Sequence, residues 1–359
     1  MDSEDSGSML EVQASKLKVR NAFSLVEILV SMSVLVLILF VLLSIINSTQ
    51  RIWKQTSTLI DAFRAARVGF ESMTRRISQA TLNTYWDYDS ATAPKLYVRR
   101  SELRFISGNL PDVATALASS CPTHAIFFQA PLGFVSDTAT YGGMENLLNT
   151  FGYYIAVTSD STTRPPFLTI PAHTRFRLMQ LSEPSENLTL YAYTSGSAGY
   201  KGTQWFSTLL SSGSYSHIVA DNVVALVFLP KKSAQEDPGG TSLAPAYSYT
   251  TAPSVWPPAA TPQTPSENQL PPLVQVTMVV LDESSAARLE TISGGDAATM
   301  VTKLYPQTLF QSAGSLTDST QAGYAQDLKT LTNTLQSLRL NYRVFSSEVS
   351  IRGAKWSKY

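Results

Sequence analysis

Histidine, cysteine and carboxylate side chains do chemistry in company, and this chain keeps them apart. His124, His173 and His217 are isolated, and none stands in an H-x-x-x-H or H-E-x-x-H pattern that would place two ligands on one helix face for zinc. Cys121 is the single cysteine. It precedes Pro122 with no nucleophile signature around it, and it can form neither an intrachain disulfide nor a cysteine metal site. The acidic pairs Glu236-Asp237 and Asp282-Glu283 lack the spacing of a calcium loop and have no third or fourth oxygen ligand nearby in sequence; whether calcium binds is left open. No nucleophile elbow and no glycine-rich phosphate loop is present. The basic runs Tyr97-Val98-Arg99-Arg100 and Arg175-Phe176-Arg177 read as strands with one charged face. With 27 basic against 27 acidic residues the chain has no net charge, so no global field would gather nucleic acid. The expectation is therefore no enzyme, no cofactor, no metal site and no nucleic-acid partner. One carboxylate is misplaced by another standard: Glu27 is the only charge between Phe23 and Ile46.

The surrounding segment, FSLVEILVSMSVLVLILFVLLSII, contains no Gly or Pro, and from Ile28 to Ile46 no ionisable group. That is close to the ~20 residues a helix needs to cross a bilayer core of about 30 Å. Only a helix or a closed barrel satisfies its own backbone in lipid. A secretory signal would have a shorter apolar core followed by a small-residue cleavage site, which Ser44 to Thr49 does not offer. Lys16, Lys18 and Arg20 precede the segment and Arg51 and Lys54 follow it. This bias, with the short N-terminal side, favours an N-in, C-out single pass. A carboxylate just inside such a span costs roughly 2–3 kcal/mol on insertion scales, so Glu27 needs a partner.

The elements that follow must carry the rest of the chain. With 44% apolar and 15% charged residues, the sequence is built to fold. Ile52, Leu59, Phe63, Phe70, Met73 and Ile77 recur at helical spacing, with Arg51, Lys54, Arg64, Arg67 and Arg75 on other faces and Glu71 placed to pair with Arg75. The expectation is one helix from Phe23 to about Thr81, its second half packing on a globular head; a break around Asn47 to Thr49 is the alternative. Beyond Leu82 short β-rich runs appear at Leu103–Ile106, His124–Gln129, Phe151–Val157, Arg175–Leu181, Leu188–Tyr193, Val223–Leu229 and Leu273–Leu281, separated by Gly, Pro, Ser and Asn clusters. This predicts a mostly antiparallel sheet. A helix over Ala322–Leu338 and a last strand over Tyr342–Ile351 complete the head. The Pro-, Ser- and Thr-rich stretch 236–272 reads as a loop without regular structure, inserted between two neighbouring buried strands. Within it, Tyr247, Tyr249 and Trp256 are expected to dock on their own domain.

The motif Asn21-Ala22-Phe23-Ser24-Leu25-Val26-Glu27, behind a basic leader and ahead of an uninterrupted apolar helix, resembles the cleavage and methylation site of type IV prepilins and type II secretion pseudopilins. The resemblance implies a leader at 1–22, cut by a prepilin peptidase between Ala22 and Phe23, N-methylation of Phe23, and an assembly role for Glu27, whose carboxylate pairs with a terminal amine in the filament. The family usually has Gly where this chain has Ala22. The order of elements is similar to that of the J-type minor pseudopilins. The blocks FRLMQLSEPSENLTLY and NYRVFSSEVSIRGAKWS are similar to the prepilin-like family called Verru_Chthon cassette protein C.

The expected architecture is α+β: an assembly and membrane helix at 23–46, its continuation at 47–82, and a pilin-like head at 83–359. The implied protein is a minor pilin-like subunit of a type IV filament or type II secretion pseudopilus. Its partners would be the bacterial inner membrane, the prepilin peptidase and other pilin or pseudopilin subunits, with the head in the periplasm. The alternative is a signal-anchored periplasmic binding protein or adhesin that does not polymerise.

Overall fold

A computed structural model describes residues 24–356 except 91, 114–122, 144–146, 162–163, 166, 168, 170, 193–201, 254–262 and 314–322; the side chains of 54–62 and 111–112 are likewise outside the description. The chain divides into two units at Ser57/Thr58. The elements are α1 (Leu25–Ile77), β1 (Tyr85–Tyr88), β2 (Tyr97–Arg100), β3 (Phe105–Asn109), β4 (His124–Pro131), β5 (Leu148–Ser159), β6 (Thr174–Glu183), α2 (Gln204–Ser212), β7 (Ser216–Asp221), β8 (Val223–Lys231), β9 (Tyr249–Thr250), β10 (Leu273–Leu281), α3 (Glu283–Ile292), α4 (Ala297–Leu304), α5 (Tyr324–Ser337) and β11 (Tyr342–Ser350), with single helical or 3-10 turns between them. The class is α+β, as expected from the alternation of patterns.

In the second unit, six strands form one sheet in the order β7-β6-β5-β4-β3-β9, three form another in the order β11-β10-β8, and β1 and β2 make a separate hairpin. Every pairing is antiparallel. The central strands of the six-stranded sheet are buried on both faces, which explains why β4 reads as the nearly continuous apolar run HAIFFQAP rather than alternating. Ile126, Phe128, Tyr153 and Ile155 face one core, shared with β8, β10 and the residues Phe63, Ala66, Phe70, Met73 and Ile77 of α1. Phe127, Tyr154 and Leu181 face the other, which α2 closes with Trp205, Phe206, Leu209 and Leu210. Gly152 belongs to this packing: a Cβ there would lie 2.1 Å from Phe127 Cδ1, and the Phe127 ring is stacked on Phe206 at 4.0 Å between centroids.

The free edge of β8 is closed by side chains. Leu226 N–H donates to Thr123 Oγ1 at 3.1 Å, Phe228 N–H donates to His124 Nδ1 at 3.1 Å, and Tyr305 O–H donates to Val224 O at 2.6 Å. Buried backbone groups must find partners, and alternate residues of this strand find them off-sheet.

The expected single helix is observed, and several other expectations need correction. Helix α1 runs without a break through Asn47–Thr49, where Ser48 and Thr49 hydroxyls donate back to Ser44 O and Ile45 O at 2.9 Å. It ends at Ile77 rather than near Thr81. Arg352 N–H caps Ser78 O at 2.9 Å, and Thr81 N–H is taken by Gln129 O at the end of β4. Glu71 pairs with Arg67 at 2.8 Å instead of Arg75; helical side chains lean toward the N-terminus, which carries Glu71 back toward residue 67. Of the run Leu188–Tyr193, the described residues 188–192 form no strand: 3-10 turns cover Ser185–Asn187 and Leu190–Ala192. The cause is Glu183, whose buried carboxylate accepts the Thr189 N–H at 2.9 Å and hydroxyl at 2.8 Å and so curls the chain. Stretch 236–272 does hold a regular element, since β9 pairs with Ile106 and Ser107 of β3. Tyr247 and Tyr249 are fully buried in their own unit, as expected, and β8 and β10 are indeed neighbours. Trp256 lies outside the described residues.

Candidate functional site: the head of the N-terminal helix

The start of α1 is specified locally. Ser24 Oγ accepts the Glu27 N–H at 3.1 Å, the side-chain-to-backbone half of an S-x-x-E capping box. The box satisfies an N–H that the first helical turn leaves without a partner. It also puts the Glu27 carboxylate in the first turn, where a negative charge is favoured by the positive end of the helix dipole. Among the described residues that carboxylate has no ion-pair partner. Ala22 and Phe23 lie immediately before the described residues.

From Ile28 to Ile46 the helix is apolar on every side. Leu25–Trp53, 29 residues, is long and apolar enough to cross a membrane, and none of its most apolar stretch is buried within the structure. At 1.5 Å per residue it rises about 40 Å, more than a bilayer core. Leu25 and Phe40 are 80% and 74% exposed, so this is no core helix of a soluble unit. Its few hydroxyls turn inward to the backbone, Ser31 onto Glu27 O and Ser33 onto Val30 O. From Leu25 to Ile46 Glu27 is thus the one charged group on an otherwise lipid-compatible surface.

No family model, curated protein or solved structure matches this chain.

Most of the other residues that drew attention in the sequence have structural partners. His124 is buried, its Nε2 2.9 Å from Phe310 O. With Nδ1 accepting from Phe228, the ring is neutral with its proton on Nε2. His217 is exposed on the edge strand β7. His173 Nδ1 lies 3.1 Å from Glu290 Oε2. Arg175 and Arg177 are held by carboxylates, Arg175 by Glu290 and by Glu283 at 3.0 Å, Arg177 by Asp221 at 2.9 Å. These charges are paired with carboxylates of the same unit. Burial pushes the Glu290 carboxyl up, but bonds from Arg175, the Thr174 N–H and His173 outweigh that and hold it below the usual range. Burial has the last word at Glu183, whose carboxyl is raised. Asp282 caps α3 by accepting the Ser285 N–H at 2.7 Å, and Asp237 accepts the Ser242 N–H at 2.9 Å. Among the described residues no three His, Cys, Asp or Glu side chains converge on a metal-sized site. Cys121 lies outside them.

The capping box was readable from Ser24 and Glu27 alone and had gone unread behind the cleavage motif they belong to. The exposed aromatic hairpin β1–β2 carried a signal too, in the aromatic run Tyr85-Trp86-Asp87-Tyr88.

Proposed function

We propose that this protein is a minor pilin-like (pseudopilin) subunit of a type IV filament or type II secretion pseudopilus. It is cut by a prepilin peptidase between Ala22 and Phe23, N-methylated at Phe23, and assembled with other pilin-like subunits through α1. Before assembly α1 holds the subunit in the bacterial inner membrane, N-terminus cytoplasmic and head periplasmic. The observation that carries this reading is Glu27: a lone acid without an ion-pair partner among the described residues, fixed by a capping box at the head of a helix apolar all round. Cutting before Phe23 would create an ammonium one helical turn away, the counter-ion that such a carboxylate requires. Lipid and neighbouring helices are equally apolar, so exchanging one for the other has little hydrophobic driving force. Packing and the polar pair would then set register between subunits. A head spanning most of the chain suits a minor subunit better than a repeating one.

The test is Glu27→Ala in the native host. Stripping one partner from a desolvated pair costs about 3–5 kcal/mol, so the share of this subunit in the sheared or purified filament fraction should fall more than about 100-fold. Membrane insertion should be unchanged or improved, because the substitution removes the ~2–3 kcal/mol insertion penalty. Assembly at the wild-type level would sink the role given to Glu27.

A further inference from the structure

The hairpin β1–β2 presents an aromatic face that the core does not use. Its register sets Trp86 opposite Arg99 and Tyr88 opposite Tyr97, and directly opposed residues share a face. Trp86, Tyr88 and Tyr97 are 57%, 48% and 65% exposed. The two tyrosine rings stack at 5.0 Å, joined by a Tyr97 O–H to Tyr88 Oη bond of 3.3 Å. From this pair the face runs on through Trp86 into a cleft of about 440 Å³, lined also by Arg99, Lys355 and Trp356. Exposed, contiguous aromatic surface of this kind marks an interaction site.

The hydrogen-bonding character of the cleft selects the ligand. Among the described residues no carboxylate lines it. The amides that line it are already committed: Asn268 Nδ2 donates to Arg99 O at 2.8 Å and its Oδ1 accepts from Arg104 at 3.1 Å, while Gln269 Nε2 donates to Pro265 O at 3.2 Å. What faces a ligand is aromatic surface and donors, the exposed Trp86 indole and the exposed Lys355 ammonium. A saccharide, whose hydroxyls both donate and accept, would find few side-chain acceptors for its donors there. A proline-rich segment is the complement. Proline has no N–H to satisfy, and polyproline II leaves every carbonyl free to accept. Its rings dock on aromatic-lined grooves.

We infer that the face formed by Trp86, Tyr88, Tyr97 and the adjoining Lys355–Trp356 cleft docks a proline-rich, extended segment of another protein chain. This inference stands apart from the filament reading and does not depend on it.

The experiment titrates the full chain, in detergent micelles, into a fluorescein-labelled decaproline peptide and follows anisotropy. Saturable binding is expected, weakened about tenfold or more by Trp86→Ala and by Tyr97→Ala, as for aromatic anchors in other interfaces. Tyr85→Ala, on the opposite face of the same hairpin, should bind as the wild type does. The substituted positions are exposed, and circular dichroism confirms that each variant is folded. No binding, binding indifferent to Trp86 and Tyr97, or Trp86-dependent binding of chitohexaose in place of decaproline would each overturn the inference.

Discussion

Replacing His124 by phenylalanine keeps a ring of similar bulk but removes both nitrogens, one tying β4 to β8 across the two sheets and the other tying β4 to the segment after α4. The Phe228 N–H, 3.1 Å from Nδ1, lies on the edge of β8, and the Phe310 carbonyl, 2.9 Å from Nε2, belongs to the segment after α4. Both contacts are buried, and a buried backbone group stripped of its partner costs about 1–3 kcal/mol. Two of them place His124→Phe at about 2–6 kcal/mol, a large share of the 5–15 kcal/mol typical of a folded domain. His124→Ala should cost about 2 kcal/mol more, because the ring also packs on Tyr247 at 4.7 Å and on Phe310 at 6.3 Å between centroids. His124→Asn keeps an acceptor near the Nδ1 position and should recover roughly half of the phenylalanine loss. Urea titration of the full chain in detergent, followed by tryptophan fluorescence, reads these differences as midpoint shifts at constant slope. A phenylalanine variant within about 0.5 kcal/mol of wild type would show that the side-chain closure of the β8 edge contributes nothing, and the reasoning would fail.

Glu290 should mark the acid limb of stability. Its folded carboxyl titrates below the usual range, so its contribution is present above the unfolded value near 4.3 and is lost as pH falls through the folded value. Glu290→Gln should therefore lose about 1–3 kcal/mol at neutral pH, with the gap to wild type closing in acid; a pH-independent gap would contradict this. Gly152→Ala drives a methyl group into Phe127, and the overpacked sheet should lose about 1–3 kcal/mol, seen as a lower melting temperature. An unchanged melting temperature would mean that the Phe127–Phe206 stack yields without cost.

What the sequence made legible follows the range of the forces involved. Helix α1 was readable because apolar content and three-four spacing are local, and β4, β5, β6, β8 and β10 because strands buried on both faces read as apolar runs. Leu188–Tyr193 carried the same composition, yet Glu183, outside that window, captured Thr189 and bent the segment. Likewise β9 exists only because β3 offers an edge, a pairing across more than a hundred residues that no local window contains. The Asp282-Glu283 pair stood out as carboxylates, when its placement before Ser285 and Ala286 was the signal of a helix start that the structure bears out in α3. Helix α2 went unread because it is short and its apolar residues Trp205, Phe206, Leu209 and Leu210 matter only once the second face of the large sheet needs covering. For the candidate site, residue type and spacing alone singled out Glu27. Its exposure on an apolar helix without an ion-pair partner among the described residues came from the structure.

The direct test of the filament reading is the mass of the N-terminal peptide from protein extracted from its native membrane. The account predicts a mature chain that begins at Phe23, heavier by one methyl group on its amine. A chain that still begins at Met1, or one cut within or after the apolar segment, would contradict it.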